Sequence, residues 1–228
     1  MHSAPRKAAK LTAAVVVAGL AVSACGTVKM GAAAITGSSR ISSATLTAQV
    51  ANLSAAYQAD KAKAISPQRA PGQEAQQVLT WLLTFRIYDQ LAVQRNISVT
   101  EADEAKQLSA LSAAAKQNRV TVPEYVSAGG ALPPDLIPQL TRYFAILSAL
   151  EDRITGGKTP ASQAEQTKIQ TAVAHDQCLA SKSLGITVNP QYGQFDYGTY
   201  SVVAAPPTLA ANPTPTAKPS PVQTAPPC

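Results

Sequence analysis

QEAQQVLTWLLTFRIYDQLAVQR, residues 73–95, decides the architecture. Val78, Trp81, Leu82, Phe85, Tyr88 and Ala92 recur at three- and four-residue spacing and line one face of a helix. Leu79, Leu83, Ile87 and Leu91 widen that stripe beyond what a surface helix needs, so neighbours are required on several sides. Arg86 and Asp89 interrupt the run, which favours a buried central helix over a membrane span. Asn96, a residue that tolerates the left-handed conformation, marks its end.

Working outward, helical signals recur on both sides. Ser42 caps a helix whose apolar positions are Leu46, Val50, Leu53 and Tyr57, and Ile41 with Leu46 forms a hydrophobic staple. Ser66-Pro67 to Pro71-Gly72 breaks that helix. Thr100 caps the next one, with Asp103 three residues in and Glu101 and Glu104 also in the acid-favouring first turn. Val120 to Val126 reads as a short helical turn before a break at Gly129-Gly130. A further helix starts near Pro133-Pro134 and runs to about Ile154, with Leu136, Leu140, Tyr143, Phe144, Leu147 and Leu150 as its stripe and Gly156-Gly157 as its stop. Thr159 and Pro160 then serve as cap and first residue of a last helix that reaches Gly185.

Two extended pieces frame these helices: Val28 to Thr36, ending at Gly37, and Ile186 to Tyr197. A lone strand leaves its backbone groups unpaired, so the Val28 segment is expected to pair with the segment around Tyr192. The fold class is therefore mostly α, with a small strand pair formed by the N- and C-terminal ends of the body.

The start of the chain carries an address. Arg6, Lys7 and Lys10 precede an apolar run from Leu11 to Val22, and Val22-Ser23-Ala24-Cys25 follows. A basic start, a short apolar core and small residues before the cut are the requirements of an export signal. A cysteine at that point is the acceptor for diacylglycerol, so Cys25 is expected to become the lipid-bearing N-terminus of the mature protein. The run from Leu11 to Val22 is too short to span a bilayer as a helix. The expected division is a signal peptide at 1–24, a lipidated terminus and linker at 25–27, a helical body at 28–197 and a tail at 198–228. Beyond Tyr200 there are 8 prolines in 28 residues, a composition that holds neither a core nor a ladder and reads as a solvated extension.

Charge and cysteine usage narrow the function classes. The whole chain has 19 basic and 13 acidic side chains, and Arg6, Lys7 and Lys10 leave with the signal, so the mature excess falls from +6 to +3. That excess is a weak signal for nucleic acid, and an exported protein does not meet it, so no nucleic-acid partner is expected. Cys178 and Cys228 are left, in an oxidising compartment, to bond to each other or to a neighbouring molecule. No metal-binding spacing joins them, and outside the signal the histidine is His175, so neither a metal nor another cofactor is expected. At 100° per residue Cys178 lies 180° from Ile169, which with Val173 and Ala180 marks the inner side of the last helix, so Cys178 is expected off the core seam.

Three segments carry a family resemblance. Ala33-Ala34-Ile35-Thr36-Gly37 leads into Ile41-Ser42; Asn96-Ile97-Ser98-Val99-Thr100-Glu101-Ala102-Asp103-Glu104 joins an apolar helix to an acid-capped one; and the chain returns through Gly185-Ile186-Thr187-Val188-Asn189-Pro190-Gln191-Tyr192-Gly193-Gln194-Phe195-Asp196. In order and spacing, over about residues 28 to 197, this resembles the SurA N-terminal domain family of exported chaperones, particularly its small lipoprotein members from high-GC Gram-positive bacteria. The resemblance implies an extracytoplasmic domain that holds unfolded or incompletely folded clients. Relatives often insert a parvulin-type prolyl isomerase domain, but the connection from Ile154 to Tyr192 is too short to contain one, and the paired histidines of such a site are absent.

Trp81, Phe85, Tyr88, Tyr143 and Phe144 are the candidates for a client-binding groove, with plain core as the competing role for the same residues. His175 and Cys178 are three apart on one helix, yet a catalytic pair would also need an oriented cleft. The function expected is non-enzymatic: a protein tethered to the extracytoplasmic face of the membrane through lipid on Cys25, binding unfolded exported polypeptides. The alternative is an envelope scaffold or accessory lipoprotein with one dedicated protein partner.

Overall fold

The structure, a computed structural model, describes residues 31–58, 73–205 and 228. The leader, Cys25, the strand start at 28–30, the break between 66 and 72 and the stretch 206–227 lie outside the described residues. Two strands, β1 (Ala32–Thr36) and β2 (Ser39–Ser42), open the body. Among the described residues six α-helices follow: α1 (Ser43–Gln58), α2 (Glu74–Gln94), α3 (Glu101–Gln117), α4 (Val122–Gly130), α5 (Ile137–Thr155) and α6 (Gln163–Leu184). Three short strands close it: β3 (Thr187–Val188), β4 (Gln194–Asp196) and β5 (Ser201–Val203). The mostly α class holds. Among the described residues no helix is long and apolar enough to cross a membrane.

α2 is the axis of the body. Val78, Leu79, Leu83, Phe85, Ile87, Tyr88, Leu91 and Ala92 are all buried, which takes contacts from α1, α5, α6 and β5 around its circumference. The larger apolar cluster joins α2 to Leu46 and Leu53 of α1, to β1 and β3, and to Ala180 of α6. A smaller one gathers Phe85 with Leu111, Val126, Leu132, Leu136 and Leu140, and so seats α3, α4 and the start of α5. Arg142 of α5 ties these helices at the surface, donating from Nε to Asp89 Oδ1 at 3.0 Å and standing 3.5 Å from Glu104.

The helix boundaries follow local chemistry. Ser42 Oγ accepts the Thr45 N–H at 2.9 Å, and Ile41 and Leu46 are both buried, so cap and staple form as the spacing predicts. Asn96 adopts φ 49° just past α2. Thr100 and Asp103 complete a reciprocal box: the Thr100 N–H donates to the Asp103 carboxylate at 2.9 Å, and the Asp103 N–H to Thr100 Oγ1 at 3.3 Å. The Thr100 N–H first, and then the Thr100 hydroxyl, which donates to the same carboxylate at 2.7 Å, hold the Asp103 carboxyl below its usual range.

Two boundaries differ from expectation. Gly129 and Gly130 do not break the chain; they form the last turn of α4, and the reversal comes at Ala131, φ 51°. Its N–H reaches Ser127 O and the next, from Leu132, reaches Val126 O, which satisfies the final carbonyls and turns Leu132 into the core. Thr159 and Pro160 do not cap α6. Ser162 does, accepting the Glu165 N–H at 3.2 Å, while the Glu165 carboxylate accepts the Ala161 N–H at 2.6 Å. Ser162 and Glu165 have capping-box spacing of their own, and this pair won over the nearby proline signal.

The ends of the body do meet, in a three-stranded antiparallel sheet ordered β2–β1–β3. The register pairs Ala34 with Val188 and Ile35 with Thr187, so the partner segment is Thr187–Val188 and not the stretch around Tyr192. Asn189 holds that register, its side-chain amide donating to Ala32 O at 3.1 Å, and the chain then turns through Pro190. Ala32, Ala33 and Ala34 are all buried, because β1 is the central strand and is covered on both faces; this is why the segment does not alternate.

The tail also begins later than expected. Residues 198–205 complete an antiparallel hairpin in which Phe195 pairs with Val202, so the boundary placed at 197 falls inside a structural unit. Val202 is buried and its N–H donates to Thr80 Oγ1 of α2 at 2.9 Å. Gly193 enters the hairpin at φ 126°, and a β-carbon there would collide with the Val203 carbonyl, so glycine is required.

Cys178 and Cys228, 50 positions apart in sequence, are joined by a disulfide with their Cα atoms 5.7 Å apart. Cys178 is buried, contrary to its expected place off the core seam. The single-seam reading missed a second packed side of α6, where Tyr200 of the closing hairpin reaches Ala174 O, one turn before Cys178. The ring closed by this bond contains β3, β4 and β5. Breaking it with a reductant, or by Cys178→Ser, is expected to lower the unfolding free energy by about 4 kcal/mol, the loop-closure value for a ring of that length. Urea denaturation with and without reductant measures this, and superimposable curves would show that the ring contributes no constraint.

Candidate functional site

The five aromatic candidates come together, but as packing. Tyr143 of α5 sits at the centre, with ring centroids 4.5 Å from Tyr88, 5.1 Å from Phe144 and 6.4 Å from both Trp81 and Phe85. Phe85 and Tyr88 are buried, and Trp81, Tyr143 and Phe144 are half-buried. The Trp81 indole N–H donates to Gly130 O at 2.8 Å, which pins the end of α4 to α2. Tyr143 packs against both apolar clusters and joins them. These rings, with Tyr143 edge-to-face to Trp81 and Tyr88 and tilted to Phe85 and Phe144, form the seam between the two halves of the core.

His175 and Cys178 do not form a reactive pair. The Cys178 sulfur is held in its disulfide, which removes the thiolate that nucleophilic chemistry needs. The His175 ring is half-exposed, its Nδ1 3.7 Å from Asp176 Oδ1. Among the described residues no group of three or more His, Cys, Asp or Glu side chains converges as metal ligands would.

An open trough of about 870 Å³ lies elsewhere, where the C-terminal ends of α2 and α5 meet the middle of α6. Ile154 and Ala172 give it apolar surface above the buried Leu150, while Arg95, Arg153, Lys168 and Asp176 give it charge and the His175 ring lines one side. The Asp176 carboxylate is nearly fully buried and paired with Arg95, and that hydrogen bond with its charge raises the already high pKa of the guanidinium. Arg153 crosses the end of α2 and donates to the carbonyls of Arg95 and Asn96, a cation where the helix dipole favours one. A second depression of about 550 Å³ continues past Ile154, Lys168 and Ala172 toward Pro160 and Ala161.

Sequence reasoning did not single out the trough, because its walls come from helices far apart in the chain. Arg95 and Asp176 are 81 positions apart, and Arg153 and Arg95 are 58. One local signal was available: Ile154 continues the spacing of Leu147 and Leu150 past the point where α5 is covered, and it is 37% exposed. No protein-family model, no curated protein and no solved structure matches this chain.

The aromatic seam has a pH signature. Burial, reinforced by Tyr143, pushes the Tyr88 hydroxyl far above the usual phenol range; burial raises Tyr143 and Tyr200 as well. Each proton is held more tightly in the folded chain, so above about pH 10 the unfolded chain binds fewer protons and stability falls as pH rises. Urea midpoints measured from neutral pH into the alkaline range are expected to drop beyond that point, less steeply in Tyr88→Phe. An equal slope in the variant would show that Tyr88 does not carry the effect.

Proposed function

We propose that this chain is an extracytoplasmic, membrane-tethered, chaperone-like protein that binds unfolded or partly folded exported polypeptides without prolyl isomerase catalysis. The observation that carries the reading is the open trough between α2, α5 and α6, which offers Ile154 and Ala172 beside hydrogen-bonding and charged groups. An extended segment presents that same mixture of apolar side chains and unpaired backbone. The leader and Cys25 support the address, and the likeness to the SurA N-terminal domain family supports the client class. The reading rests on the trough and not on the aromatic seam, whose rings pack the two halves of the core together.

A second reading is a non-catalytic envelope scaffold with one dedicated protein partner. What favours it is the spread of apolar exposure: among the described residues Val93, Leu108, Ile154 and Leu179 are the exposed large hydrophobics, and they lie on four different helices. A narrow site suits a specific partner better than a broad adhesive surface does.

Equilibrium binding separates the two. The mature chain through Cys228, carrying Cys25→Ser, is titrated against a permanently unfolded, carbamidomethylated polypeptide and against the same polypeptide folded. Saturable binding of the unfolded form below about 100 μM, near −5.5 kcal/mol, with none to the folded form, is the expected result. No difference between the two forms would turn the reading to the dedicated scaffold. In cells, Cys25→Ala is expected to move the protein from the membrane fraction to the soluble one, and unchanged membrane association would refute lipid tethering.

A further inference from the structure

The trough has a charge preference as well as an apolar floor, and we infer that it selects extended segments that carry carboxylates. Its lining has three fixed cations, Arg95, Arg153 and Lys168, against one carboxylate, Asp176, a surplus of two positive charges. The balance is not cancelled locally. Asp176 is paired with Arg95, with the His175 ring 3.7 Å away, and Arg153 faces carbonyl oxygens that carry only the partial charge of a helix end. Lys168 is exposed and, among the described residues, makes no ion pair. It lies on the rim shared by the trough and its continuation, so a segment passing along either meets its ammonium.

The occupant follows from shape and charge together. A small inorganic anion would leave the apolar surface of Ile154 and Ala172 uncovered, and a purely apolar segment would leave Lys168 without a partner. A chain with apolar side chains and an aspartate or glutamate among them satisfies both. Attraction of that kind acts mainly on encounter and selection and weakens with salt. The inference rests on the reading of the trough as a polypeptide-binding site.

The test uses the mature chain with Cys25→Ser and three soluble fluorescent peptides of equal length. They share the same leucine, glycine and serine positions and carry Glu, Gln or Lys at the remaining ones. The Glu peptide is expected to bind at least about tenfold more tightly than the Gln peptide at low salt, and the advantage is expected to shrink at high salt. Lys168→Glu is expected to abolish that advantage, while Lys182→Glu, an exposed charge change in the last turn of the same helix, leaves it intact. Equal affinity for Glu and Gln peptides, or an advantage that survives Lys168→Glu, overturns the charge preference and leaves the polypeptide reading standing. Failure of all three peptides to bind overturns the polypeptide reading and the inference with it. Retention of the protein on phosphatidylglycerol vesicles without binding of the Glu peptide overturns the inference in favour of an anionic lipid surface.

Discussion

Burial of α2 on every side but the strip that carries Arg86 and Val93 is the constraint on which the other elements depend. Each of its fully covered residues stabilises the fold by about 1.5 to 3 kcal/mol relative to exposure, but only if another element supplies the cover. α1 covers one side, α5 and α6 two more, and β5 closes a strip near Thr80. The chain has few large apolar residues beyond those helices and many alanines, which bury little surface but allow close approach. Ala32 to Ala34 show this: a strand buried on both faces fits beneath the helices because its side chains are small.

The C-terminal segment completes that enclosure. β3 returns to the central strand, the β4–β5 hairpin lies over α2 and α6, and the disulfide from Cys178 to Cys228 closes the ring around them. Strands of two or three residues are too short to persist alone in water. They hold here through the side-chain amide of Asn189, the hydroxyl of Thr80 and a covalent bond, each placed by a helix or strand that is already packed. The trough is the counterpart of this arrangement. It forms where α2 and α5 stop and α6 continues, and the exposed carbonyls and charges of those helix ends make it polar beside Leu150 and Ile154.

Much of the fold was legible because its signals are local. The stripe of α2, the box of Thr100 and Asp103, the staple of Ile41 and Leu46, and the stops at Asn96, Gly156 and Gly185 each lie within a few residues of what they control. The errors fell where two local signals competed or where a distant segment decided. Ser162 displaced Thr159 because both stand before the same helix. Gly129 and Gly130 were absorbed into α4 because the burial of Leu132 and the bond from Trp81 placed the reversal one residue later.

The sequence by itself determined the helical class, the central role of residues 73–95 and the meeting of the two ends of the body, since periodicity and capping need only neighbours along the chain. Tertiary structure alone decided that Thr187–Val188 pairs with β1, that Cys178 is buried, and that the five aromatics gather in one seam. It alone also brought Arg95, Arg153 and Lys168 together around Asp176. Each of these depends on which surfaces of different helices face one another. A helix repeats its faces every 3.6 residues whatever stands opposite, so periodicity reports that a side is covered without reporting what covers it.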